Sequence, residues 1–140
     1  MTITPAPVGE HTEVVDVSAD GKRMVFMRGN VITALKSVHV STRPDVNAAW
    51  PTPVQIIDFG GSSGCCPTHT PDANELIVEI DGQLGRMVYV DPNWSAPEVF
   101  QSGAGDPYLT RDGRTLVLTR MVASYDLAYM DRTCLDPLGP

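Results

Sequence analysis

The 140-residue chain has no apolar run approaching the ~20 residues a membrane-spanning helix needs. It also lacks helix-forming runs. It has no surplus of basic residues, and its net charge is −7. Phosphate backbones and anionic headgroups are bound by clustered Lys and Arg, so nucleic acid and membrane are excluded as partners. The mildly basic spots, Lys22-Arg23 and Arg111/Arg114, sit beside turns and are expected to be solvated hairpin tips. The opening Met1-Thr-Ile-Thr-Pro-Ala-Pro-Val-Gly9 has neither the basic nor the apolar region of a signal peptide. Cysteine is scarce, with Cys65, Cys66 and Cys134 the only three. Sequence neighbours rarely bridge, and an odd count argues against a disulfide framework. The expectation is a cytoplasmic protein as written, or a periplasmic one if an export segment has been removed.

Catalytic signatures are missing as well. No Gly-x-Ser-x-Gly occurs, which excludes the catalytic domain of a serine peptidase of the hydrolase fold. Gly60-Gly-Ser-Ser-Gly64 precedes no helix and so makes no phosphate cradle.

What the chain does have is repetition. Val17-Ser-Ala-Asp-Gly-Lys-Arg-Met-Val-Phe26 aligns without a gap on Thr68 to Val78 and on Tyr108 to Leu118. Asp20, Asp72 and Asp112 fall in one column, with Ser18, Thr70 and Thr110 two residues before. Self-similarity of this kind decides architecture before any single motif does. Asp-Gly between β-rich runs signals a hairpin, because glycine accepts the positive φ of the turn. The hydroxyl two residues earlier can bond the turn backbone. In the second unit Ala73 replaces the glycine, which predicts a different or more strained turn.

Third strands align at Lys36–Val40, Arg86–Val90 and Asp126–Met130, with His39, Tyr89 and Tyr129 in one column. A fourth strand follows Trp50 and Trp94 in two units, the tryptophans being expected to cap sheet edges. The third unit ends before a fourth strand. The second strands are apolar on both faces (Met24-Val25-Phe26, Leu116-Val117-Leu118), whereas a sheet with one wet face alternates. Small four-stranded sheets of about 40–50 residues, each sandwiched between neighbours, are propeller blades. The spacings between the repeated aspartates, 52 and 40 residues, fit them.

The expected fold is all-β: one domain, 1–140, with blade repeats at approximately 11–59, 64–101 and 105–131. Three four-stranded antiparallel blades are half of a six-bladed propeller, because rings close with roughly four to eight blades. Closure by a homodimer is expected, with residues 2–8 as a possible closing strand for the partner's last blade. A fragment of a longer propeller is the alternative.

Pro107 to Leu116 followed by Leu127-Ala-Tyr-Met-Asp131 resembles the PD40 or TolB-like WD40-type propeller repeat, as does Pro67 to Leu76 followed by Met87-Val-Tyr-Val-Asp91. The first unit departs, with Val15 for the proline and Val38-His39-Val40-Ser41 for the last strand. The sialidase Asp-box differs in lacking glycine directly after aspartate. The resemblance implies a periplasmic TolB-type scaffold, the gating domain of a prolyl-oligopeptidase-type peptidase, or a free-standing propeller.

Few residues offer chemistry. Cys65-Cys66-Pro-Thr-His69, with Asp72 near, is the soft-metal-like cluster. Zinc sites favour cysteines spaced two to four apart, because adjacent ones point to opposite faces of a strand. His69 falls in an inward column with Val17 and Leu109, and His11 lies at the entry to the first unit. These two histidines are the candidate ligand contacts. Glu75 and Glu79 lie on the polar side of a strand, more readily a solvated face than a glycosidase pair. The expectation is a non-catalytic module binding a protein or small ligand at its axial face, with no catalytic residues and no cofactor. The alternative is part of an enzyme-associated propeller, either the peptidase gating domain or a lactonase-like metal-dependent hydrolase.

Overall fold

A computed structural model of the chain describes residues 10–30, 35–121 and 125–131. The proposed closing strand at 2–8 and Cys134 lie outside the described residues. Twelve strands are present there: β1 Glu10–Val17, β2 Arg23–Asn30, β3 Lys36–Thr42, β4 Val54–Asp58, β5 Gly64–His69, β6 Glu75–Ile80, β7 Gln83–Val90, β8 Asn93–Trp94, β9 Glu98–Ser102, β10 Ala104–Leu109, β11 Thr115–Met121 and β12 Tyr125–Asp131. Every pairing is antiparallel. The first sheet runs β1-β2-β3-β4, the second β5-β6-β7 with β8 and β9 both on β7, and the third β10-β11-β12. None of the described residues forms a helix long and apolar enough to cross a membrane.

The repeated hairpin turns have one chemistry. Ser18, Thr70 and Thr110 donate their hydroxyls to Asp20, Asp72 and Asp112 at 2.7, 2.6 and 2.6 Å. Each carboxylate also accepts the backbone N–H two residues on, from Lys22, Asn74 and Arg114. Each hydroxyl oxygen accepts the N–H that opens the return strand, from Arg23, Glu75 and Thr115. The hydroxyl bond, first, and the N–H bond lower the carboxyl pKa of Asp20 and of Asp112.

Gly21 and Gly113 have φ of 70° and 68°, and Ala73 keeps the same left-handed conformation at 58°. The second turn thus has the same geometry with a residue that carries the steric cost. A Cβ at Gly21 meets nothing closer than Val46 Cγ1 at 3.4 Å, so only the backbone opposes one. Gly21→Ala is therefore expected to lower the unfolding free energy by about 1 kcal/mol. Urea denaturation measures it, and an unchanged midpoint would contradict this account of the turn.

The strand opening each sheet carries a bulge at one repeated position. Register shifts fall between Glu13 and Val15, Cys65 and Thr68, and Gly105 and Tyr108. Val14, Cys66 and Asp106 there take positive φ of 42°, 58° and 47°. Pro67 and Pro107 follow directly, where an unpaired bulge residue loses nothing by lacking an N–H.

The core has two layers. Val25, Met27, Val38 and Val40 of the first sheet pack with Leu76, Val78 and Met87 of the second. Ile77 and Leu84 on its other face pack with Ala104, Leu109, Leu116 and Leu118. Leu76, Ile77 and Val78 are all at most 4% exposed and Val25, Phe26 and Met27 at most 5%, so the second strands of the first two sheets are buried on both faces along those runs. The outer sheets depart from that expectation at Met24 and Val117, which are only half-buried. No described sheet covers the far faces of these two.

Candidate ligand-binding site

β1, β5 and β10, the first strands of the three sheets, lie side by side, β5 against both others. A groove of about 450 Å³ opens where their C-terminal ends meet the hairpin turns. Val15 to Ala19, His69 to Pro71 and Tyr108 to Arg111 line it, the same repeat positions from each unit. It therefore occupies the place that the inward-column reading assigned to His69.

Asp16 and His69 meet in this groove. Asp16 accepts the backbone N–H of His69 at 2.8 Å and the Thr68 hydroxyl at 3.2 Å, and its carboxylate lies 3.4 Å from His69 Nδ1. Leu109 N–H reaches Thr68 Oγ1 at 3.4 Å, so one polar chain joins all three inner strands. Burial pushes the Asp16 carboxyl pKa up, but the His69 ring, the His69 N–H and Thr68 outweigh it and leave it lowered. The His69 side chain is 2% exposed, and neither Nδ1 nor Nε2 has a hydrogen-bond partner. A buried ring nitrogen without a partner has lost its hydration without replacement.

His11 does not join this site. It stands across the strand from Gly29, where a Cβ would come within 2.5 Å of its ring. Its Nε2 meets Glu13 at 2.5 Å, and Lys36 lies 3.4 Å from the same carboxylate. The His11 bond is the main cause of a lowered Glu13 pKa. His39 is buried, stacks on Phe26 with centroids 5.7 Å apart, and bonds Ser37 at 2.9 Å.

The cysteine cluster divides. His69 turns to Asp16, and Asp72 belongs to its hairpin turn. Cys65 and Cys66 are bridged to each other, against the expectation that neighbours do not pair. The reason is the β5 bulge, which sets two residues opposite one and so breaks the alternation of faces. Beside the pair are Asp106, on the bulge of β10, and Glu79, 8% exposed. Glu79 accepts the Asp106 N–H at 3.0 Å, so it is a buried acceptor and not part of a solvated face.

Arg23 also departs from the solvated-tip reading. It donates to the Ala73 carbonyl of the second sheet, and its guanidinium lies 4.2 Å from the Tyr89 ring centroid and 5.5 Å from that of Trp94. Arg43 covers Trp50 in the same way at 4.2 Å, so each tryptophan lies beneath an arginine. Asp16 and Asp106 were missed by sequence reasoning, and Glu79 was read as a solvated residue. Asp16 carried one signal, a lone charge inside Val14-Val15-Asp16-Val17.

The packing of three antiparallel sheets with their first strands together has counterparts among solved structures. The chain is similar to a prolyl endopeptidase whose inter-domain dynamics were analysed for catalysis and specificity, at 18% identity and a TM-score of 0.57. The match covers 88% of this chain and 20% of that one. This is a β-propeller-type fold. The β-propeller domain of the Trilobed protease from Pyrococcus furiosus is also similar, at 13% identity and a TM-score of 0.49, over 86% of this chain and 40% of that one. The propeller-type chain thus spans a fifth of the first protein's length and two fifths of the second's. No family model and no curated protein matches it.

Proposed function

We propose that the chain is a non-catalytic, TolB-like propeller module that binds a small polar ligand or a peptide segment in the groove between the inner-strand ends. The observation that carries this reading is the buried His69, whose two ring nitrogens both lack a hydrogen-bond partner, with the Asp16 carboxylate 3.4 Å from Nδ1. An imidazole ring can donate or accept at its nitrogens, so a ligand hydroxyl or amide in the groove can satisfy one of them. The ring closes by pairing two copies into six blades. Three features support pairing: the third sheet has three strands among the described residues, and Leu127 and Tyr129 of β12 are 79% and 81% exposed. An open apolar sheet face favours association.

Light scattering tests the assembly, with twice the chain mass expected and a clean monomer refuting the half-ring. A thermal-shift screen of peptides and hydroxylated small molecules tests the groove. Hits should weaken in His69→Phe, and hits that bind this variant equally well would refute the site. The second reading, part of a peptidase gating domain, is favoured by the likeness to a prolyl endopeptidase.

A further inference from the structure

We infer that Cys65, Cys66 and Asp106 form a redox-gated site for a thiophilic divalent cation such as Zn2+ or Cd2+. The three side chains offer Sγ, Sγ and a carboxylate oxygen within 4.8 Å of one another. Asp106 Oδ1 lies 3.3 Å from Cys65 Sγ and 3.2 Å from Cys66 Sγ, and Glu79 Oε2 lies 3.3 Å from Cys65 Sγ. In the bridged form neither sulfur carries a proton, so two carboxylates face two sulfurs that have nothing to donate. That arrangement suits a cation better than it suits the disulfide.

The backbone makes the set usable. Adjacent cysteines on a regular strand diverge, but here the bulge lets both side chains turn the same way, so that their sulfurs meet. Asp106 reaches them because it occupies the same bulge position on the neighbouring inner strand. Its second oxygen accepts the Thr119 hydroxyl at 3.1 Å, which orients it as outer-shell partners orient metal ligands. Glu79, held by the Asp106 N–H, stands ready at a fourth position. Two thiolates and carboxylate oxygen suit a tetrahedral zinc-like ion.

Gating follows from the electron balance. A thiol or phosphine reductant supplies two electrons, two protons convert the S–S bond into two thiols, and the reductant leaves oxidised. The cation then binds both sulfurs and releases the two thiol protons to solvent. In the oxidised state no thiolate exists and the site is closed.

The test uses the full chain, as purified and after phosphine reduction and removal of the reductant, titrated with Cd2+ alone. Cys134→Ser is the parent, so that the remaining thiol takes no part. One ion per chain with thiolate-to-cadmium absorption is expected after reduction, and no such absorption before it. Asp106→Asn, which preserves shape, should weaken the affinity by about tenfold or more. Cys66→Ser should abolish the absorption, and circular dichroism of each variant confirms the fold. Bound Cd2+ should shield both cysteines from alkylation. Equal binding before and after reduction, no binding by the reduced parent, or unchanged affinity in Asp106→Asn would each overturn the proposal.

Discussion

Truncating Leu76 to alanine is expected to cost about 2–5 kcal/mol of unfolding free energy. Its side chain is 0% exposed and belongs to the cluster joining the first two sheets. It pairs laterally with His69 and Met87, so β5 and β7 hold its place and little can move in to fill the cavity. Domains of this kind have total stabilities of roughly 5–15 kcal/mol, so the loss is a large share of the whole. Urea denaturation should show a lower midpoint at unchanged slope. Val99→Ala is the contrast, because Val99 is 51% exposed and its truncation should stay within about 0.5 kcal/mol. Equal losses from the two would refute the layered core.

Asp16→Ala is the second large effect, at about 2–3 kcal/mol, because it strands buried donors. The His69 N–H and the Thr68 hydroxyl both lose their acceptor, and the His69 ring loses its neighbouring carboxylate. Asp16→Asn keeps an acceptor oxygen and should cost less, and equal losses would refute this account. The same residue shapes acid stability. Its carboxyl pKa is lowered from 3.8, so its contribution is present above that value and is lost as pH falls through the lower folded one. His39 acts earlier. Burial, first, and the Arg28 charge lower its pKa from 6.5, so the unfolded chain takes up the proton more readily. Stability should therefore begin to fall below about pH 6.5 and fall again below about pH 3.8, the second step being smaller in Asp16→Asn but still present, because the Glu13, Asp20 and Asp112 carboxyls are lowered as well. Urea midpoints measured across this range check both steps.

Much of the fold was legible because it is written in short-range chemistry. A hydroxyl, an aspartate and a glycine within four residues specify a turn whatever surrounds them, and the turn sets the register of both strands. Ala73 shows the limit of reading residue by residue. Its substitution for glycine suggested a different or more strained turn, and the strained one is found: the Thr70–Asp72 bond and the packed strands hold Ala73 in the common left-handed conformation. The prolines at 67 and 107 were visible as a repeat column, and the bulges they accompany were not. A bulge is a mismatch between two strands, and the sequence of one strand does not contain it.

The candidate site was legible only at His69, which the repeat alignment placed in an inward column. Its partner Asp16 lies 53 residues away. The cysteines were recognised as soft ligands and then assigned the wrong companions, because His69 and Asp72 are close in sequence while Asp106 and Glu79 are close in space. Arg23 was read from its turn alone, though the adjacent sheet supplies the rings it covers.

The sequence by itself determined the hairpins, the order of the strands and the number of repeats, because each depends on residues within one unit. Only the tertiary structure decided that Cys65 meets Cys66 and Asp106, and that Asp16 meets His69. Those contacts form where bulged inner strands from different units come together. Sheet-on-sheet packing positions them, and no periodicity along the chain records it.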